Sequence, residues 1–160
     1  MKRGLVVPAL LVLAVGLAAA PAAADAPENH RAHLTGAGEV PAVDTDAQGQ
    51  AIFQLSADGT TLDYTLIVAN IENVVQAHIH CGAPDVNGPV VVFLFGPVPG
   101  GVDHNGVLST GTATDADVIP RPECGVADLD DVMEKIRTGE AYANVHTTAN
   151  PGGEIRGQIG

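Results

Sequence analysis

The stretch VQAHIHCG, at residues 75–82, places two histidines one residue apart and a cysteine directly after the second. Alternate side chains of an extended strand point to the same side, so His78 and His80 would share one face while Ala77 and Ile79 face the core. Two imidazoles held in this way are either a pair of metal ligands or polar residues on the outer face of a strand. The remainder of the chain bears on that choice.

A third histidine follows the same alternation near the C-terminus. In AYANVHT, at residues 141–147, small and apolar residues alternate with polar ones, which turns His146 away from the core. If this strand lies beside the one at 75–81, His146 converges with His78 and His80, since directly paired Cβ atoms lie about 4.5–5.5 Å apart. Three neutral imidazoles with an open position suit Zn²⁺ or Cu²⁺. The sequence therefore predicts a copper or zinc site at these three histidines.

The other polar residues of interest indicate structural roles or none. His33 lies early on the first predicted strand and His104 in the glycine-rich stretch GVDHNG; each is either an exposed strand or turn residue or a further metal ligand, and its role is left open. Glu154 and Arg156, in GGEIRGQ, share one strand face, and we expect them to form a structural ion pair or a hydrogen-bonded strut. The chain has no nucleophile elbow and no phosphate loop, so no catalytic residue is predicted.

Cys81 and Cys124 are the two cysteines of the chain. An even number of cysteines in an exported protein favours a disulfide between them. Because Cys81 follows His80, its side chain should point to the core side of the strand, away from the proposed ligands. The rival interpretation makes Cys81 a thiolate ligand, which would leave Cys124 unpaired in an oxidising compartment.

The N-terminal residues predict export. Two basic residues, an apolar run and the small residues that end at Ala24 are typical of a secretory signal peptide at residues 1–24. A short polar leader is expected at 25–30 and a single domain at 31–160, which is long enough for one hydrophobic core. The expected location is secreted, periplasmic or extracellular.

The domain shows the rhythm of an all-β protein. Runs at 51–55 and 62–68 alternate and flank a turn signal, Asp58-Gly59, which predicts a hairpin. The nearly continuous apolar run PVVVFLF, from Pro89, predicts a centrally buried strand. The remaining predicted strands lie at 31–37, 75–81, 106–113, 141–147 and 153–159. About eight strands predict a Greek-key-like β-sandwich or a partly closed barrel.

One segment has helical periodicity instead. Apolar residues of DLDDVMEKIRTGE recur at helical spacing, with acidic residues in the first turn and basic residues in the last. Gly139 follows and can supply a left-handed cap. We expect a short amphipathic helix near 128–138.

The charge of the chain limits its partners. It has 19 acidic residues and 7 basic ones, two of which fall in the predicted signal peptide. So few cations make nucleic acid an unsuitable partner. After signal removal no long apolar segment or basic amphipathic helix remains, so no membrane partner is expected. A metal ion and an extracellular protein remain as candidate partners.

Three stretches resemble one known family. GAGEVPAVDTDAQGQAIFQL, VVQAHIHCGAPDVNGPVVVFL and GEAYANVHTTANPGGEIRGQI together are similar to the chordin-type domain, or CHRD domain, over residues 31–160. Such domains occur in exported bacterial proteins and in the animal protein chordin. The family has no well-defined enzymatic role, so the resemblance implies an exported module.

A weaker similarity is to copper/zinc superoxide dismutase. That family has an eight-stranded Greek-key sandwich in which a His-x-His pair and a later histidine bind copper, and His78, His80 and His146 match that trio in type and order. The long loop with the bridging histidine and the further zinc ligands is missing here. The analogy supports a metal site more than a reaction.

The predicted function is therefore that of a secreted, non-catalytic module that binds copper or zinc through three histidines and acts in extracellular metal or partner binding. Two alternatives stay open at this point. One is a dismutase-like copper redox enzyme, against which the negative charge counts because superoxide is an anion. The other is a purely structural or adhesion module whose histidines point to separate places.

Overall fold

The computed structural model describes residues 26–160, and the predicted signal peptide at 1–24 lies outside the described residues. Residues 26–160 form seven strands and one α-helix. The strands are β1 (Glu28–Thr35), β2 (Gln48–Leu55), β3 (Leu62–Cys81), β4 (Val90–Phe95), β5 (Val102–Ala113), β6 (Ala141–Thr147) and β7 (Ile155–Gln158), and the helix is α1 (Leu129–Arg137).

The strands close into a small barrel. Their order is β2-β1-β7-β6-β3-β4, and β2 also pairs with β3, so five strands form a closed ring while β4 and β5 lie outside it. All the strand pairs are antiparallel. The all-β prediction is confirmed in its barrel form, with seven strands rather than about eight.

The difference in number arises from β3, which unites the strands predicted at 62–68 and 75–81. Its first half pairs with β2 and β5, and its second half with β6 and β4. The strand bends at Asn70 and Asn73, which have positive φ angles, a region that asparagine tolerates. Their backbone N–H groups donate to the side chains of Asn105 and Asp103, which replace ladder bonds at the bends.

Two further predictions need correction. Strand β1 begins at Glu28, so part of the predicted polar leader pairs with β2 instead of remaining outside the sheet. The apolar run at Val90–Phe95 forms β4 at the end of the strand order, and Phe93 in it is 43% exposed, so this strand is not central. Its inward residues are still buried, which explains why its composition suggested a central position.

The helix agrees closely with the prediction. Asp128 caps its N-terminus by accepting a hydrogen bond from the backbone N–H of Asp131, and Gly139 has a φ of 73° just after its end. Its apolar face, Leu129, Val132, Met133 and Ile136, is buried in the common core with the inward residues of the strands. None of the helices in the described residues is long and apolar enough to span a membrane.

Candidate metal centre

Strands β3 and β6 bring the three predicted histidines together. The register places His80 opposite Tyr142, His78 opposite Asn144 and Gln76 opposite His146. One ring nitrogen of each histidine lies within 4.8 Å of one nitrogen of each of the others. His78, His80 and His146 are 2%, 8% and 6% exposed. The predicted convergence is therefore present, and it is buried rather than on an open strand face.

Backbone carbonyls orient two of the imidazoles. The Nδ1 atom of His80 lies 2.9 Å from the carbonyl oxygen of Gly88, and the Nδ1 atom of His146 lies 3.0 Å from that of Pro151. A carbonyl can only accept, so both Nδ1 atoms carry the hydrogen and both Nε2 atoms present a lone pair. Metal-ligating histidines commonly have this arrangement, in which the second nitrogen donates to a carbonyl.

The third imidazole, that of His78, completes the cluster, in which some ring nitrogens lack a hydrogen-bond partner. The Nδ1 atom of His78 lies 3.1 Å from Nε2 of His146 and donates to it when His146 keeps its hydrogen on Nδ1. Among the described residues, the buried Nε2 atoms of His78 and His80 have no hydrogen-bond partner. A buried polar atom without a partner costs about 1–3 kcal/mol. The centre therefore holds lone pairs that a cation would satisfy.

The surroundings keep the imidazoles neutral. Burial, followed by the proximity of the other two histidines, lowers the pKa of His78 to about 3. Burial also lowers the pKa of His80 to about 4, although its hydrogen bond to Gly88 acts in the opposite direction, and burial lowers the pKa of His146. Neutral imidazole is the form that binds metal, so the cluster needs no deprotonation near pH 7.

Aromatic rings pack against the histidines. Tyr142 stacks on His80, with ring centroids 4.8 Å apart and planes 9° from parallel. Phe93 meets His78 edge to face, with centroids 4.4 Å apart. These rings line two sides of the cluster with apolar surface, and a low local dielectric strengthens electrostatic interactions inside it.

The predicted ion pair between Glu154 and Arg156 is wrong. Glu154 accepts hydrogen bonds from the side chains of Thr45, Thr147 and Asn150. Arg156 donates instead to the loop after β3 and lies over the Tyr142 ring. The two side chains bond to different loops. The alternative expectation, that each is a hydrogen-bonded strut, therefore describes both of them.

The cysteines pair as predicted, and the other histidines lie outside the cluster. Cys81 and Cys124 form a disulfide with Cα atoms 6.6 Å apart, and Cys81 is buried in the core. His33 is exposed on β1. The ring of His104 lies 2.7 Å from the carbonyl oxygen of Val107 in the same strand, β5.

The sequence analysis missed a buried carboxyl close to the cluster. Glu39, in the loop after β1, accepts a 2.7 Å hydrogen bond from the Nδ2 atom of Asn144, and both side chains are buried. Burial raises the pKa of Glu39 to about 7, against the opposing effects of Arg156 and Asn144. The alternation of β6 could have drawn attention to Asn144, but no local pattern around Glu39 indicates that it folds over β6.

Comparison with known families identifies the class of the protein. The family model of the CHRD domain matches residues 30–159, which is most of the chain. The chain belongs to the CHRD domain family, a module of the extracellular type. Searches of curated proteins and of solved structures give no significant match, so the weaker similarity to copper/zinc superoxide dismutase gains no support from them.

Proposed function

We propose that this CHRD domain is a secreted, non-catalytic module that binds one copper or zinc ion through His78, His80 and His146. The observation that carries the proposal is the convergence of one ring nitrogen from each of three buried histidines, all within 4.8 Å of one another. Zn²⁺ and Cu²⁺ both accept imidazole nitrogen, and three protein ligands leave one position for water or a small molecule.

The geometry supports this assignment. Three ligands placed about 2.0–2.1 Å from a tetrahedral ion lie about 3.3–3.4 Å from one another. The Nδ1 atom of His78 lies 3.1 Å from the Nε2 atom of His146, which is close to that value, and the nitrogens of the trio all lie within 4.8 Å of one another. His78 would therefore ligate through Nδ1, with its hydrogen on Nε2. Binding of the ion would require the more widely separated nitrogens to move closer together. A structural or adhesion module would have no reason to bury three histidines with their lone pairs together.

Titration of the purified, chelator-treated protein with Cu²⁺ and with Zn²⁺ in a calorimeter tests the proposal. We expect one equivalent of at least one ion to bind tighter than about 10 μM. His146→Ala should lose that binding. Only the imidazoles of His78 and His80 remain, and His78 no longer has its contact with His146. His33→Ala is the matched control, since it removes an exposed histidine outside the cluster.

Two results would count against the proposal. If neither ion binds, the domain is a structural module. If the wild type and His146→Ala bind the metal equally well, the metal site lies elsewhere in the protein. A superoxide assay on the copper-loaded protein, compared with free copper, separates simple binding from redox chemistry. The proposal expects no activity above the free-copper control.

A further inference from the structure

The loop at residues 82–88, here called the cover loop, follows β3 directly and lies against the histidine cluster. Its Gly88 carbonyl accepts the hydrogen bond from Nδ1 of His80. The backbone N–H of Gly88 donates to the hydroxyl of Tyr142, at 3.1 Å, so Gly88 contacts both members of the stacked pair. A Cβ atom at this position would overlap the carbonyl of Cys81, so only glycine permits this approach.

Arg156 binds the cover loop through several hydrogen bonds. Its guanidinium donates to the side-chain oxygen of Asn87 at 3.1 Å and to the carbonyl oxygens of Ala83 and Val86 at 3.2 and 3.1 Å. The same group lies 3.4 Å from the centroid of the Tyr142 ring. Arg156 is only 2% exposed.

This arginine differs from the usual buried arginine. Buried charged side chains are normally paired with an opposite charge, yet no ion pair of Arg156 occurs among the described residues. Three oxygen acceptors and an aromatic face surround its guanidinium. The nearby carboxyl of Glu39 is not in contact with it, although the charge of Arg156 acts to lower the pKa of Glu39. A planar fork of donors suits this task, and the single ammonium of lysine could not reach three loop acceptors while stacking on a ring.

We infer that Arg156 is a positioning residue for the ligand His80. It acts by two routes, through the cover loop to the Gly88 carbonyl that binds Nδ1 of His80, and through Tyr142 to the plane of the His80 ring. Without these restraints the His80 ring is less firmly oriented within its packing and can present either nitrogen to the centre. The inference rests on the proposed function in so far as it concerns metal affinity, whereas the restraint on His80 exists without metal.

Arg156→Lys tests the inference because it keeps the charge and removes the fork. We expect the affinity for the ion that binds the wild type to fall about tenfold or more, as is typical when the partner that orients a ligand is lost. In the metal-free protein, ¹⁵N NMR of the imidazoles should show faster solvent exchange of the His80 Nδ1–H and mixed tautomers. Arg137→Lys is the matched control, since Arg137 bonds Glu28 at the surface.

Asn87→Ala provides a second variant in case Arg156→Lys does not fold. Asn87 is exposed and links the cover loop to Arg156 and to the carbonyl of Val40, so its loss loosens the loop without opening the core. We expect the same changes in smaller degree. If the folded variants retain wild-type affinity and a protected His80 Nδ1–H, Arg156 does not position His80.

The two proposals fail separately. If the wild type binds neither Cu²⁺ nor Zn²⁺, but Arg156→Lys still releases the His80 ring in the metal-free protein, the metal function is wrong and the positioning role stands. If the wild type binds metal and the His80 spectrum does not respond to either variant, the positioning role is wrong and the metal function stands.

Discussion

The two faces of β6 are equally buried and work in different ways. All seven residues of this strand are buried. Its inward residues, Ala141, Ala143 and Val145, belong to the hydrophobic core. Its outward residues, Tyr142, Asn144 and His146, form a polar layer with the loops: with the backbone N–H of Gly88, the carboxyl of Glu39 and the carbonyl of Pro151.

The difference lies in what each face requires. Apolar burial is non-directional and stabilises in proportion to the area removed from water. The outward face needs a partner in the right direction for every polar atom, and loops supply most of them. Three buried atoms there remain unpartnered among the described residues: the Nε2 atoms of His78 and His80 and the Oδ1 atom of Asn144. The hydrophobic core is thus complete without a ligand, whereas the polar layer that it supports still has atoms without hydrogen-bond partners.

The largest expected effect comes from the disulfide, which anchors the inward side of β3. Cys81 and Cys124 are 43 residues apart, and opening a loop of that size costs about 4 kcal/mol in the chain-entropy model. We expect the native protein to show no titratable thiol and reduction to lower the unfolding free energy by about that amount in a urea titration. Metal affinity should fall only modestly, because Cys81 faces away from the cluster. Two free thiols in the native protein would contradict the prediction.

The next largest effect is expected from a cavity on the core side of the neighbouring strand β7. Ile155 is fully buried beside Arg156 and points to the core. Ile155→Ala should lower the unfolding free energy by about 3 kcal/mol while leaving metal affinity nearly unchanged. Ile52→Ala, at a position that is 36% exposed, is the control and should change the unfolding free energy by less than about 0.5 kcal/mol. A large loss of metal affinity in Ile155→Ala would show that the two faces are not separable.

The pH dependence of stability has opposite signs within the polar layer, and the smallest expected effect is the part that Glu39 contributes. The pKa values of His78 and His80 are lowered from 6.5 to about 3 and about 4, so the unfolded chain binds protons that the folded metal-free protein does not. Their contribution to stability is present above pH 6.5 and is lost as the pH falls through the folded values. The pKa of Glu39 is raised from 4.5 to about 7, so its contribution is present below pH 4.5 and lost as the pH rises through 7.

Glu39→Gln separates these two contributions. It should remove the loss of stability near pH 7 and leave the loss at acidic pH, a change of a few degrees in Tm. Melting curves of the metal-free wild type and variant between pH 4 and pH 8 measure it. Parallel curves for the two proteins across that range would mean that Glu39 titrates as an exposed carboxyl does.

Local patterns predicted much of the fold and the three histidines of the candidate centre. The helix, the hairpin and the facing of His78, His80 and His146 follow from short-range periodicity, which depends only on the backbone geometry of a helix or strand. The same reasoning placed Cys81 on the core side, where it is buried. It failed for the pair Glu154 and Arg156, because sharing a strand face does not determine which loop folds over each side chain.

By itself, then, the sequence determined which side chains share a face, because alternation is a property of each strand alone. Tertiary structure alone decided that one bent strand, β3, carries both predicted segments and that β6 lies beside its second half. It also decided that loops cover the polar face, bringing Glu39 to Asn144 and the cover loop to Arg156. These contacts join residues distant in the chain, and their energy depends on closing long loops around a completed barrel, for which no short stretch of sequence carries a signal.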